Sequence, residues 1–296
     1  MLGRILKMLV ASNHNRRIKN MGTLSGQSTI VTGGGSGIGL ACARAFATDG
    51  ANVLIMGRNH EKLEAAVATL RTISGAGEIN FFVGDVSREA DVAAAIEKAS
   101  LKDCLDIAVA NAGTGSLSPI MMTEASNWDD IMQTNLNGTF YTIKHAGRWM
   151  AKSGGGSICA ISSIAGIRTH RFMGSYCVSK AGIDMLVRNA ADELGVANIR
   201  VNSVCPGLVE TELASGLLQT EAVLNDYLDC MPISRPGVTE DISHAVRFLC
   251  GPEASWITGV VMSVDGGHHL RRGPNVEPFS RMLFGDDITD GKIGPS

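Results

Sequence analysis

The sequence predicts an α/β protein built on one doubly wound sheet of about seven parallel strands. Seven short runs of β-branched or apolar residues alternate along the chain with longer segments of helical periodicity. The short runs are almost continuously apolar, which is typical of parallel strands buried on both faces. No stretch rich in proline or serine interrupts residues 23–267, so these residues are predicted to form a single domain.

Each element follows from its local pattern. The predicted strands are short, apolar and mostly β-branched: Thr29–Thr32, Val53–Met56, Ile79–Val83, Ile107–Ala110, Ser157–Ile161, Ile199–Val204 and Val260–Val264. The segments between them are long enough for helices that cross from one parallel strand to the next: 38–49, 61–72, 89–99, 127–151, 176–195 and 240–250.

Composition excludes several functional classes. The 296 residues carry 26 basic and 29 acidic side chains, a net charge of −3, so no strong overall field attracts nucleic acid or an anionic membrane. No apolar run reaches the roughly 18 uncharged residues that a membrane-spanning helix needs. The seven cysteines are scattered, with no pair at zinc-site spacing, which predicts no metal site and a reducing compartment, the cytoplasm.

The two ends of the chain differ from its body. Residues 1–22 hold five basic and no acidic side chains and are predicted to be a flexible extension; a transit peptide for an organelle is the alternative, and Met21 is an alternative initiator. Residues 268–296 contain several prolines and glycines, and we expect this tail to lie on the surface. The adjacent His268 and His269 are expected to be surface residues, because no cysteine or carboxylate cluster accompanies them.

A glycine-rich loop joins the first predicted strand to the first predicted helix. It reads Thr32-Gly33-Gly-Gly-Ser-Gly37-Ile-Gly39, and the missing side chains let the backbone turn sharply and approach a bound pyrophosphate. The N–H groups at the start of the following helix would face the phosphate charge. An ordinary glycine-rich turn is the alternative, but the position between a strand and a helix favours phosphate binding.

Further motifs follow this loop in a fixed order: Asp85-Val86, Asn111-Ala112-Gly113, Asn135, Ser163, Tyr176-x-x-x-Lys180, Pro206-Gly207 with Thr211, and Asp265-Gly-Gly267. Together with the loop spacing T-G-x-x-x-G-x-G, this order resembles the short-chain dehydrogenase/reductase family over about residues 23–267. The pattern is most similar to the 3-oxoacyl-(acyl-carrier-protein) reductases and their relatives. The resemblance implies a Rossmann-type fold, a nicotinamide cofactor and a homodimer or homotetramer formed through two long helices.

The resemblance also implies roles for individual residues. The implied catalytic residues are Asn135, Ser163, Tyr176 and Lys180. The implied cofactor-binding residues are Thr32, Gly33, Gly35, Ser36, Gly37, Ile38, Gly39, Arg58, Asp85, Val86, Asn111, Ala112, Gly113, Tyr176, Lys180, Pro206, Gly207, Val209 and Thr211.

Tyr176 and Lys180 are four residues apart and therefore share one face of a predicted helix. A phenol with a pKa of about 10 is a poor base at neutral pH, and a nearby ammonium is expected to lower that pKa. Tyr176 would then exchange a proton with a substrate oxygen, which Ser163 would hold by a hydrogen bond. Ser162 is expected to play a supporting role, and by resemblance Lys180 also binds the nicotinamide ribose.

Asn135 has two interpretations. The resemblance implies that it holds a water molecule in a proton relay behind Lys180. The alternative is an ordinary helix residue that is bonded to the backbone, which is the more common role of a single asparagine. The order of the motifs favours the relay.

The end of the second predicted strand bears on the choice of cofactor. An acid about 20 residues past the glycine loop would hold the ribose 2′-hydroxyl of NAD(H), but Gly57 stands at that position. Arg58 follows it and can pair with the 2′-phosphate of NADP(H). NADP(H) is therefore the predicted cofactor. NAD(H) is the alternative, because Ser36 stands where many NADP-binding relatives carry a second basic residue, and Arg58 could instead stack on the adenine.

These residues predict an NADP-dependent ketoreductase that interconverts a secondary alcohol and a ketone, with 3-oxoacyl thioesters among the candidate substrates. The family places its substrate lid at residues 208–234, whose apolar content favours an apolar or alicyclic small molecule. Nucleotide-sugar epimerization is disfavoured by the loop spacing. A catalytically silent cofactor-binding sensor or scaffold is disfavoured by the presence of Ser163, Tyr176 and Lys180.

Overall fold

The computed structural model describes residues 24–100 and 104–292. The predicted flexible extension 1–22, with the transit-peptide and Met21 hypotheses, lies outside the described residues. Within the described ranges, helices cover both faces of a single sheet.

The sheet has seven strands in the order β3-β2-β1-β4-β5-β6-β7. Their bounds are β1 Ser28–Thr32, β2 Asn52–Gly57, β3 Ile79–Val83, β4 Ile107–Ala110, β5 Gly156–Ile161, β6 Ile199–Pro206 and β7 Val261–Val264. All neighbouring strands run parallel. Because the chain moves outward from β1 in one direction and then in the other, right-handed crossovers place helices on opposite faces. The predicted doubly wound sheet and its seven strands are confirmed.

The helices are α1 Gly37–Thr48, α2 His60–Leu70, α3 Glu89–Ala99, α4 Ala125–Ile131, α5 Gly138–Ser153, α6 Gly174–Leu194, α7 Ser215–Gln219, α8 Glu221–Cys230, α9 Thr239–Cys250, α10 Glu277–Phe284 and α11 Asp286–Thr289. The predicted helix 127–151 is divided, because a π-helical turn, Met132–Asn137, separates α4 from α5. A π turn accommodates one extra residue per turn. Here the turn contains Asn135, whose side chain is bonded to the Thr114 backbone instead of lying on a regular helix face.

Each face of the sheet has its own apolar core. On the face of α1, α2 and α9, the buried cluster includes Phe46 and Leu63. On the face of α3, α5 and α6, it includes Ile96 and Val187. Removal of these side chains from water is the main contribution to the stability of such a sheet.

A third, smaller cluster lies beyond the carboxyl end of β6. It joins Val223 and Tyr227 of α8 to Leu208, Met231 and Val276. Val276 directly precedes α10, so the C-terminal segment packs on the helices that follow β6. The segment lies on these helices with Val276 facing inward and fully buried, while most of its other residues are partly or fully exposed.

The expectation that His268 is a surface residue is wrong, because its side chain is completely buried. Gly266 and Gly267 have φ of +63° and +83°, a left-handed conformation that glycine adopts readily, and they turn the chain out of β7. The two histidines therefore lie in a 3-10 turn, His268–Leu270, and not in an extended strand. His268 thus points inward, whereas His269 is partly exposed and contacts Asp265, with Nδ1 2.9 Å from Oδ2.

In the described ranges, no helix combines the length and the apolar character that crossing a membrane requires.

Candidate active site

A cavity of about 770 Å³ opens at the carboxyl edge of the sheet. Its wall is formed by the loops that follow β1 to β6, with α8 on one side. Strand order reverses between β1 and β4, and the loops on either side of that point diverge to leave a crevice. The fold itself therefore provides the site, and the loop residues decide what it binds.

The glycine loop leaves almost no room for side chains. A Cβ at Gly33 would lie 2.8 Å from Asn111 Nδ2, and a Cβ at Gly39 would lie 2.3 Å from the Gly33 carbonyl oxygen. Gly37 begins α1 with φ of +52°. The Ser36 side chain makes no capping hydrogen bond to this helix, so the first N–H groups of α1 remain available to an anion in the cavity.

Four hydrogen bonds hold this loop against the loop that follows β4. Thr32 Oγ1 accepts from the Asn111 N–H at 3.0 Å and from the Ala112 N–H at 3.2 Å. In return, Asn111 Nδ2 donates to the carbonyl oxygens of Thr32 at 2.9 Å and Gly33 at 3.2 Å. Thr32 and Asn111 therefore fix the two loops relative to each other, which keeps the glycine backbone close to the cavity.

Arg58 lies at the rim of the cavity, where β2 ends. Its side chain is 76% exposed, and its Nη1 lies 3.9 Å from Asp85 Oδ2, a long and weak ion pair. Gly57, just before it, has no side chain that could exclude a phosphate. The guanidinium is consequently free to pair with an anionic group.

Most of the implied site residues line the cavity: Gly33, Ser36, Gly37, Ile38, Arg58, Asp85, Val86, Asn111, Ala112, Gly113, Ser163, Tyr176, Lys180, Pro206, Gly207, Val209 and Thr211. The other four implied residues do not line the cavity. Thr32 and Gly39 support the loop from within, as described above. Gly35 faces Leu63, since a Cβ there would meet Leu63 Cδ2 at 3.4 Å. Asn135 is fully buried.

Ser163, Tyr176 and Lys180 form one compact group. Ser163 follows β5 and is hydrogen-bonded to the Tyr176 side chain. Lys180, one turn along α6, lies with Nζ 5.6 Å from the centre of the Tyr176 ring and donates to the Ile161 carbonyl oxygen at 2.8 Å. Ser162 Oγ donates to the Lys180 carbonyl oxygen at 3.2 Å and so fixes the helix, a supporting role.

Burial controls the protonation of this group. It raises the pKa of Tyr176, an effect that the hydrogen bond with Ser163 opposes. It also lowers the pKa of Lys180 to about 8. The expectation that Lys180 brings the pKa of Tyr176 below 10 is therefore wrong for this structure, because desolvation dominates and the ammonium is directed at Ile161. At neutral pH Tyr176 is a protonated phenol.

Both polar atoms of the Asn135 side chain form hydrogen bonds. Its Oδ1 accepts from the Thr114 N–H at 2.8 Å, and its Nδ2 donates to the Thr114 carbonyl oxygen at 3.0 Å and to Ser179 Oγ at 3.1 Å. Lys180 Nζ would be 3.6 Å from a Cβ placed on Gly113, and Asn135 Oδ1 would be 3.3 Å from it. Asn135 therefore braces the Gly113–Thr114 turn beside the ammonium.

The far end of the cavity contains residues that the motifs did not indicate. They come from separate segments of the chain: Gly115, Asn127, His170, Met173, Leu208, Leu213, Leu217 and Tyr227. Tyr227 and the leucines fall within the predicted lid, but a helical pattern does not reveal which face of a lid is turned to a ligand. His170 had no sequence signal beyond standing six residues before Tyr176.

The residues of the cavity fit a dinucleotide. The close-packed glycine loop and the uncapped start of α1 suit a pyrophosphate, and Gly113 and Lys180 adjoin the position of the reacting group. In the described part of the chain, no group of three or more histidine, cysteine or acidic side chains could hold a metal ion.

The family model for enoyl-(acyl carrier protein) reductase matches residues 33–269, which include the glycines of the loop and every later motif up to Asp265-Gly-Gly267. The chain belongs to the short-chain dehydrogenase/reductase family. It is 36% identical to a 3-oxoacyl-(acyl-carrier-protein) reductase of Chlamydia muridarum over 82% of its own length and 98% of the relative. It is 34% identical to a galactitol 2-dehydrogenase of Cereibacter sphaeroides, over 83% of this chain and 96% of the relative.

Solved structures agree with this assignment. A short-chain dehydrogenase/reductase from Mycobacterium ulcerans superposes with a TM-score of 0.88 and 40% identity, covering 91% of this chain and 100% of that one. A 7α-hydroxysteroid dehydrogenase bound to NADH and a 7-oxo bile acid superposes with a TM-score of 0.79 and 34% identity, covering 83% and 95%. This short-chain dehydrogenase/reductase is an NAD(P)-dependent oxidoreductase that acts on CH–OH and keto groups.

Proposed function

We propose that this enzyme uses NADP(H) to interconvert a ketone and a secondary alcohol, with Tyr176 as the acid and base. The observation that carries the proposal is the compact group of the partly buried Tyr176 with the buried Ser163 and Lys180, in a cavity that also contains the glycine loop. A phenol, a hydroxyl and an ammonium beside a dinucleotide-binding loop match the needs of carbonyl reduction.

The side chains divide the chemistry between them. The nicotinamide of the bound cofactor supplies or accepts the hydride. The hydroxyls of Tyr176 and Ser163 hold the substrate oxygen, and the protonated phenol donates its proton to that oxygen as negative charge develops. Lys180, with a pKa of about 8, is largely cationic at neutral pH and stabilises negative charge on Tyr176 after the transfer. Asn135 keeps the turn beside Lys180 in place.

The preference for NADP(H) rests on Arg58. An exposed guanidinium with a single long contact to Asp85 can form a charge-assisted pair with a 2′-phosphate. With Gly57 before it, no carboxylate stands at the end of β2 to repel that phosphate or to hold a 2′-hydroxyl.

Other properties of the protein are proposed on weaker grounds. Exposed apolar side chains on α5 and α6, Phe140, Val178 and Met185, support a homodimer or homotetramer formed through these helices. Cys42, Cys159, Cys177, Cys205, Cys230 and Cys250 are free thiols, which supports a reducing compartment such as the cytoplasm. The relatives act on different substrates, namely 3-oxoacyl, sugar-alcohol and steroid compounds. The substrate class of this enzyme must therefore be inferred from the residues that line its cavity.

The chemistry is tested by Tyr176→Phe, which removes the hydroxyl but keeps the ring. With a panel of alicyclic ketones and NADPH, we expect kcat/KM to fall by about 10⁴, the upper end for general acid–base catalysis, while NADPH still binds. Tyr141→Phe is the matched control, because Tyr141 lies outside the cavity, and its rates should equal those of the wild type. Turnover of Tyr176→Phe at the wild-type rate would refute the mechanism.

The cofactor assignment is tested by the double variant Gly57→Asp/Arg58→Ile, with kcat/KM measured for both cofactors. The wild type should prefer NADPH over NADH by at least about tenfold, which corresponds to one charge-assisted hydrogen bond. The double variant should reverse the preference. A native preference for NADH, or no shift toward NADH in the variant, would overturn the assignment.

A further inference from the structure

Two polar rings face the substrate end of the cavity and are almost completely buried. His170 is 6% exposed and Tyr227 is 4% exposed, and both line the cavity. They belong to different segments, the loop before α6 and the helix α8. Burial of a polar group without a hydrogen-bond partner is unfavourable, so each of these two side chains should bond either to the protein or to a ligand.

The Tyr227 hydroxyl has no hydrogen-bond partner in the described part of the chain. There, the side-chain atoms that are both sealed from solvent and unpartnered are Thr29 Oγ1 and the two ring nitrogens of His268. The Tyr227 hydroxyl is not among them, so it opens into the cavity. Burial, and next the neighbouring Tyr176, raise its pKa, which keeps it a protonated donor near the reacting group.

His170 provides a hydrogen-bond acceptor, whereas Tyr227 provides a donor. Its Nδ1 lies 3.4 Å from the Arg168 carbonyl oxygen, which can only accept a hydrogen bond, so Nδ1 carries the proton. Burial lowers the pKa of His170 to about 4, and the ring is neutral at neutral pH. Its Nε2 is therefore an acceptor, and the one hydrogen bond of this ring to the described residues is the one that Nδ1 makes with Arg168.

His268 holds the two rings in position from behind. Its ring centre lies 6.2 Å from that of His170 and 5.6 Å from that of Tyr227, in both cases edge to face. The fully buried His268 thus packs against both rings, and both rings line the same cavity. A donor from Tyr227 and an acceptor from His170 match a hydroxyl group, which accepts one hydrogen bond and donates another.

We propose that Tyr227 and His170 together bind a second hydroxyl group of the substrate, which makes the substrate an alcohol or ketone with a further uncharged hydroxyl. This inference rests on the proposed alcohol and ketone chemistry at Tyr176. An anionic second group is disfavoured, because the only cations among the described lining residues are Arg58, at the cofactor rim, and Lys180, beside Tyr176. The apolar Met173, Leu213 and Leu217 complete this end of the cavity and suit a carbon ring.

The test compares cyclohexanol with cyclohexane-1,2-diol, cyclohexane-1,3-diol and cyclohexane-1,4-diol as substrates for oxidation by NADP⁺. The three positional isomers place the second hydroxyl at different distances from the reacting carbon. We expect the wild type to oxidise at least one diol with a kcat/KM at least tenfold above that of cyclohexanol, because a site built to bind a hydroxyl discriminates against an analogue without it.

Variants assign that preference to the two rings. In Tyr227→Phe and in His170→Leu, the ratio of kcat/KM for the preferred diol to that for cyclohexanol should fall at least tenfold. His170→Gln keeps an acceptor oxygen and should restore part of the ratio. Tyr141→Phe removes a phenol outside the cavity and should leave the ratio unchanged.

The outcomes separate this inference from the proposed function. A wild type that oxidises cyclohexanol as well as every diol, or variants that keep the full ratio, would overturn the inference and leave the Tyr176 chemistry intact. Turnover that survives Tyr176→Phe would instead overturn the proposed function. An enzyme inactive with all four alcohols would overturn the inference as well, since neither the ring nor its second hydroxyl would then be recognised.

Discussion

The half of the cavity next to β1 and β2 is formed by backbone and short loops, whereas the half beyond β5 and β6 is formed by side chains from separate segments. In the first half, Gly33 and Gly39 come within contact distance of neighbouring backbone, and Arg58 stands at a strand end. In the second half, the rings of His170 and Tyr227 each contact the ring of His268, which is far from both along the chain.

The difference lies in what each half recognises. A pyrophosphate is bound by N–H groups that every residue carries, so the first half depends on the absence of side chains and on the start of a helix. A particular substrate is bound by particular side chains, so the second half depends on how α8, the loop before α6 and the C-terminal segment pack together.

In the first half, a single added methyl group at Gly39 should have a large effect. In Gly39→Ala the added Cβ would lie 2.3 Å from the Gly33 carbonyl oxygen, a backbone atom that cannot move aside. We expect the free energy of unfolding to fall by about 1–3 kcal/mol and the Kd for NADPH to rise at least tenfold. Thermal unfolding and fluorescence titration measure the two effects.

Gly35→Ala is the matched control in the same loop. Its Cβ would meet Leu63 Cδ2 at 3.4 Å, an ordinary contact outside the cavity. Stability and NADPH affinity should stay close to those of the wild type. Equal effects of the two substitutions would show that the loop does not act through close backbone approach.

The second half should impose a pH dependence on stability. The pKa of His170 falls from 6.5 to about 4 on folding, so between these values the unfolded chain binds more protons than the folded one. Stability should therefore decrease as the pH falls from 6.5 toward 4, by about 1–2 kcal/mol between pH 6.5 and 5. Urea unfolding of the wild type and His170→Gln at both pH values isolates this contribution, because the variant lacks it.

His60→Gln serves as the control for that measurement, because His60 is exposed on α2 and outside the cavity. Its stability should change with pH as the wild type does. The same pH dependence in His170→Gln as in the wild type would contradict the assignment of a buried neutral histidine.

The C-terminal segment should have the smallest effect. Asp226 on α8 accepts hydrogen bonds from Arg272, with Nη1 at 2.9 Å, and from the Asn275 N–H. Asp226→Asn weakens this link, and we expect a loss of about 1 kcal/mol in stability with a few-fold higher KM, since α8, which carries the cavity residue Tyr227, is less firmly held. Asp286→Asn, at an exposed ion pair with Arg281, should change neither. Identical thermal shifts in both variants would show that the segment does not support α8.

Much of the first half could be predicted from the sequence because its signals are local. The glycine loop lies between a strand and a helix, and Gly57 and Arg58 stand at a strand end, so short stretches of chain show both their structure and their chemistry. The helix pattern also places Tyr176 and Lys180 on one face. What it could not show is the pKa of Tyr176, because that value depends on burial by the whole fold.

The seven strands, their parallel doubly wound arrangement and the glycine loop between a strand and a helix could be predicted from the sequence, because residues a few positions apart mark each short element. The spatial order of the strands could not, because it depends on pairing between segments far apart in the chain. The inward turn of His268, the division of the predicted helix 127–151 and the contacts of His268 with His170 and Tyr227 were decided by the tertiary structure. Each of these arises from packing between segments far apart in sequence, where no periodic pattern indicates which side chains will meet.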